Sequence, residues 1–154
     1  MKKYLVAAAL SAATVFPAAA LEMGQPLPYL TLEDQHGGAH SLTGNVHTLL
    51  FTRDKGGSDV ASAALDGVEQ AQLEAKQVVY VADISIMPSI ITSMFALPKM
   101  RKQPWLTLMD DKGDATANFP HQTNEVTMVR FENGNVADIQ YFSDGAELKT
   151  ALAL

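Results

Sequence analysis

The chain of 154 residues contains no cysteine. That absence excludes thiolate nucleophiles, disulfide exchange, structural disulfides and thiolate-held metals, because each of them needs a sulfur donor. No Gly-x-Gly-x-x-Gly sequence and no phosphate loop is present, so nucleotide cofactors have no support. Basic residues are in the minority, 11 against 17 acidic, for a net charge of −6. Such a surface repels phosphate backbones and anionic lipid, which argues against nucleic-acid or membrane-surface binding. The histidines, His36, His40, His47 and His121, follow no metal-ligand spacing. Met87, Met94 and Met100 could suggest thioether binding of Cu(I), but methionine in an apolar helical segment is usually core filler. The expectation is no metal and no cofactor.

One long apolar run is present, and it lies at the start. In "MKKYLVAAALSAATVFPAAALE" a positive end (Lys2, Lys3) precedes an apolar stretch from Tyr4 to Phe16, then small residues suited to cleavage after Ala20. The pattern is that of a secretory signal. The run is short for a membrane span, which needs about 20 apolar residues. We therefore expect residues 1–20 to be removed and residues 21–154 to form one exported, periplasmic domain that is soluble once the signal is gone. Without Lys2 and Lys3 nine basic residues face 17 acidic ones, a net charge near −8.

The rest alternates between strand and helix periods. Tyr29–Leu32 and His40–Leu42 read as a hairpin around "DQHGG". "VHTLLFT", 46–52, is a continuous apolar run of the kind buried on both faces. From Ser58 a helical stripe of Val60, Ala64, Val68 and Ala71 runs towards Ala75, with Ser58 the expected N-cap. "QVVYVAD", 77–83, and "PWLTLMD", 104–110, are two more strands, separated by a helix from Pro88 that bends or ends near Pro98. Asn133-Gly134 turns a final hairpin, and Ser143 is expected to cap a closing helix. Strand–helix–strand order followed by a hairpin and a helix predicts an α/β sandwich with a central mixed β-sheet and flanking helices.

"GQPLPYLTLEDQHGGAHSL", "PWLTLMDDKGDATANF" and "TNEVTMVRFENGNVADIQYFSDGAELKTAL" together resemble the opening and later strands of thioredoxin-like proteins of the peroxiredoxin and thiol-reductase type. Gln103-Pro104-Trp105 adds a likeness to the small, cysteine-less, YtfJ-like periplasmic proteins of that superfamily, a group that brings no activity with it. The resemblance implies a thioredoxin-like fold. It also sets Lys55-Gly-Gly-Ser58 over the Cys-x-x-Cys of the reductases, and Asn124-Glu125 over their cis-proline position. Neither half of the redox site is conserved in kind, so peroxidase and disulfide-reductase activity do not carry over.

The turn "RDKGGSD" offers Arg53, Lys55 and Ser58 at a helix N-terminus, where the dipole favours anions. A lysine and a serine three apart can form a nucleophile–base pair only if the lysine loses its proton, and neighbouring aspartates oppose that. The overlay places Lys55 opposite Glu125, which predicts an ion pair there and a trans bond before Glu125. "ISIMPSIITSMFALPKM" carries no charge from Ile84 to Leu97. Its helix is either covered by loops or presents Ile91, Met94 and Phe95 to a protein partner or a second copy. Two functions follow: a non-enzymatic binding or interaction module, or a thiol-independent enzyme or small-anion binder at the Arg53–Ser58 turn.

Overall fold

The computed structural model describes residues 20–154; the expected signal segment lies outside these apart from Ala20. Seven strands form one mixed sheet in the order β2-β1-β5-β4-β3-β6-β7. A short hairpin, β1 (Leu30–Asp34) and β2 (Ala39–Leu42), forms one edge. The carboxylate of Asp34 organises its turn, accepting from His36 N at 2.7 Å and Gly38 N at 3.0 Å and meeting His40 Nε2 at 2.6 Å. His36 and His40 therefore converge on Asp34 through a backbone and a ring nitrogen. Burial pushes the Asp34 carboxyl up, but these contacts outweigh it and hold the group below the usual carboxylate range.

β3 (Thr48–Thr52) lies inside the sheet, parallel to β4 (Val78–Asp83) and antiparallel to β6 (Val126–Glu132). All five of its residues are buried. Alternation sends Leu50 into the core layer beneath the helices and Leu49 and Phe51 into the layer on the other face. Each such side chain contributes roughly 1.5–3 kcal/mol on burial, so an apolar run with no polar alternation suits only this interior position. β6 continues through Asn133 and Gly134, both at positive φ, into β7 (Asn135–Phe142).

Four details depart from the sequence expectation. The stripe after β3 is two helices, α1 (Lys55–Leu65) and α2 (Gln70–Ala75), broken around Gly67 at φ +74°. Asp54, not Ser58, caps α1, and Asp144, not Ser143, caps α5 (Gly145–Leu152). The strand expected over 104–110 is only β5 (Leu108–Asp110). Pro104 has no N–H to offer a ladder, and side chains take over the backbone groups that follow it. Gln35, 1 % exposed, accepts from Thr107 N at 2.8 Å and donates to the Trp105 carbonyl at 2.6 Å, while Gln70 Oε1 accepts from Leu106 N at 2.8 Å.

Between β4 and β5 the chain forms a helix in three parts. α3 (Ser89–Ile91) widens into a π-turn over Thr92–Ala96, then closes as α4 (Leu97–Met100). Leu97 N–H reaches back to the Thr92 carbonyl. Pro98 cannot donate, and its ring would crowd the carbonyl four residues back. The wider turn relieves that crowding, so the helix passes Pro98 without stopping there.

Candidate functional site

β3 and β4 end side by side at Thr52 and Asp83, so the loops after them share one edge of the sheet, where ligands of open α/β sheets are commonly held. Arg53, the first residue beyond β3, is committed inward. Its Nε donates to Asp83 Oδ2 at 3.1 Å, its Nη2 to the Thr116 carbonyl at 2.6 Å, and Nη1 lies 3.0 Å from His121 Nδ1. The guanidinium sits 5.4 Å above the Phe51 ring, which meets Phe119 edge-on at 5.2 Å. A guanidinium has donors only, so His121 Nδ1 is the acceptor in that contact.

Asp54 spends both carboxylate oxygens on backbone amides. Oδ1 accepts from Gly57 N and Oδ2 from Asn124 N, each at 2.8 Å. One oxygen thus caps α1, and the other ties the 124–125 segment to the cap. Ser58, relieved of capping, turns its hydroxyl to within 3.4 Å of Thr52 Oγ1, which itself lies 3.0 Å from the Tyr80 hydroxyl. Burial pushes the Tyr80 phenol up, and so does Asp59, against the hydrogen bonds from Thr52 and Ser58.

Residues 124 and 125 do lie against the first turn of α1, where the overlay puts them. A Cβ on Gly57 would come 2.6 Å from the Glu125 carbonyl oxygen, and one on Gly56 would come 2.7 Å from the Cβ of Asn124. Asn124 adopts φ +61°, a left-handed conformation that asparagine tolerates better than most residues. No cis peptide bond occurs among the described residues. The Lys55–Glu125 ion pair does not form. Lys55 bonds Asp59 one helical turn on, at 2.6 Å, with 86 % of its side chain exposed, so the nearer aspartate wins over a longer reach. Asn124 and two glycines therefore fill the gap between the 124–125 segment and the first turn of α1.

Asp54 was legible in the sequence, since aspartate caps as well as serine does. Asn124 had only a weak signal, its tolerance of positive φ. Gln35 had none, because its partners lie about 70 positions away.

The second candidate surface is the 89–100 helix, and no loop covers it. From Ile84 to Pro104 no residue is buried. Ile86, Ile90, Met94 and Phe95 are 63–69 % exposed and Ile91 is 43 % exposed. Met94 is therefore not core filler. Residues 90, 91, 94 and 95 form one contiguous apolar face at helical spacing.

Two cavities lie elsewhere. One of about 390 Å³ is bordered by His47, Lys76, Arg130 and Glu132 at the far end of the sheet, and one of about 360 Å³ opens between β2 and β4. Among the described residues no cluster of histidine, aspartate and glutamate could hold a metal ion, and no helix is long and apolar enough to cross a membrane.

No protein-family model matches the chain, and no curated protein does. Solved structures match over most of the chain. Peroxidoxin BcpB from Mycobacterium tuberculosis aligns at TM-score 0.57 and 17 % identity, over 86 % of this chain and 95 % of that one. A thio-disulfide isomerase from Thermus thermophilus aligns at 0.52 and 19 %, over 86 % and 96 %. A peroxiredoxin-like protein from Aquifex aeolicus aligns at 0.54 and 11 %, over 88 % of each chain. At such identities the likeness is one of fold. The mixed sheet, its flanking helices and these neighbours together make the protein a thioredoxin-like α/β sandwich that has no cysteine.

Proposed function

We propose that this protein is an exported, YtfJ-like, thioredoxin-fold protein of the periplasm that works as a non-enzymatic interaction module. The apolar face of the 89–100 helix, with Ile91, Met94 and Phe95 at its centre, is its binding surface. The observation that carries this reading is a helix with four large exposed apolar side chains and no buried residue, with a fifth, Ile86, exposed just ahead of it. A helix that only stabilised its own fold would turn an apolar face to the core and a polar one to water. This one adds nothing to the core, and its exposed face is the apolar one.

Small-anion binding or thiol-independent catalysis at the Arg53–Ser58 turn is the weaker reading. The donors such a site would use are taken: Arg53 by Asp83 and two further partners, Lys55 by Asp59, and the Gly57 amide by Asp54.

A photo-crosslinking residue placed at Met94 tests the module reading in cells that export the protein, with Thr43, exposed on the far edge of the sheet, as control position. Adducts at position 94 that are absent at position 43 are expected. No adduct at position 94 overturns the reading.

A further inference from the structure

We infer that the partner is a second copy of this chain, docked through an antiparallel pairing of the two 89–100 helices about a two-fold axis. The inference rests on the interaction-module reading and names its occupant. Two observations support it, one of area and one of charge.

Summed over Ile86, Ile90, Ile91, Met94 and Phe95, the exposed fractions amount to about 500 Å² of apolar surface, taking on the order of 170 Å² for a large side chain. A standard stable interface buries about 800 Å² per partner, of which about 60 % is apolar. The patch thus matches the apolar share of one side of such an interface.

The charges are arranged for self-pairing. At the N-terminal end of the helix lies the 110–114 turn, fixed there by Ile84 N donating to the Asp110 carbonyl at 3.0 Å and by Gly113 packing against Ser85. That turn exposes Asp111 and Asp114 with Lys112 between them, a net negative end. At the C-terminal end, Lys99, Arg101 and Lys102 are all exposed. The stripe between them has no charge. Over 12 residues the helix spans about 18 Å, so two such helices laid antiparallel bring the lysines of each copy to the aspartates of the other, twice, by symmetry. A parallel pairing would set like charges together at both ends. An anionic membrane is opposed by the net charge of −6 on the chain as a whole. The patch is therefore complementary to itself.

The test uses sedimentation equilibrium of the purified protein over concentrations up to about 1 mM, alongside two charge-reversed variants. One carries Asp111→Lys with Asp114→Lys, the other Lys99→Glu with Lys102→Glu. All four side chains are exposed, so both variants should keep the wild-type circular dichroism spectrum and unfolding midpoint. The wild type is expected to dimerise, more weakly as salt is added. Each variant alone should dimerise about tenfold or more weakly, and an equimolar mixture should recover a mixed dimer, because both ends of the mixed pair are then complementary. Phe95→Glu should abolish association. A wild type that stays monomeric throughout overturns the inference, as does a mixture that recovers nothing. A monomer whose crosslinker at Met94 captures only adducts of another mass loses the second copy and keeps the module; a monomer with no adduct loses both.

Discussion

Replacing Gly56 by alanine should destabilise the protein, and the same replacement should stabilise it once Asn124 is glycine. Gly56 is the second residue of α1. Alanine is favoured over glycine in a helix by about 1 kcal/mol, less in a first turn. Against that, the new Cβ would stand 2.7 Å from both the Cβ and the Cγ of Asn124. Overpacking of this kind costs about 1–3 kcal/mol, so the net effect should be a loss of about 1–2 kcal/mol. Asn124→Gly removes the obstructing side chain, relieves φ +61° and keeps the amide that donates to Asp54. In that background the helical preference acts alone, and Gly56→Ala should gain about 0.5–1 kcal/mol. The sign reversal corresponds to a coupling of about 1.5–3 kcal/mol, ordinary for side chains in contact. Urea unfolding of the four chains, with the slope checked for constancy, measures it. If Gly56→Ala has the same effect in both backgrounds within about 0.5 kcal/mol, Asn124 does not fill the gap beside α1.

Asp54→Ala should cost about 2–3 kcal/mol, since it removes a helix cap and the tether to Asn124; Ser58→Ala should cost less than about 1 kcal/mol, and equal losses in thermal unfolding would return the cap to Ser58. Gln35→Met keeps the volume but leaves the Trp105 carbonyl and the Thr107 amide without their partner, so a loss of about 2–4 kcal/mol is expected; a loss under about 1 kcal/mol would mean that the β5 approach finds other hydrogen bonds. Asp34 has a lowered folded pKa, so its stabilisation is complete above its unfolded value near about pH 4 and is lost as pH falls through the folded value. The difference in urea midpoint between wild type and Asp34→Asn should therefore shrink below about pH 4, and a difference that instead grows on acidification contradicts the sign.

Period and composition carried most of the fold. A run such as "TLLFT" has no polar face, so it can only sit between strands with both faces covered, and Asn133-Gly134 can turn a hairpin with no help from distant residues. The absence of cysteine excluded thiol chemistry before any coordinate was known, since no arrangement of other side chains supplies a thiolate. The 124–125 segment was located correctly as well, because strand order fixes which loop returns to the start of α1.

The tertiary structure decided what depends on competition between alternatives that are equal in sequence. Asp54 and Ser58 are both good caps, and Asp54 wins because its second oxygen also reaches Asn124, a contact made across 70 positions. Lys55 has acidic residues at both Asp59 and Glu125, and the helical neighbour one turn away needs no ordering of a second loop. The strand expected at Pro104 is shortened because Gln35 and Gln70 satisfy the backbone there in place of a ladder. Whether the charge-free stretch from Ile84 to Leu97 is core or surface is likewise undetermined by its own residues, since an apolar stretch reads the same in either place. Its exposure follows from the rest of the molecule: the β4–β5 crossover holds the helix at its ends, and α1, α2 and α5 already complete the core layer on their face of the sheet.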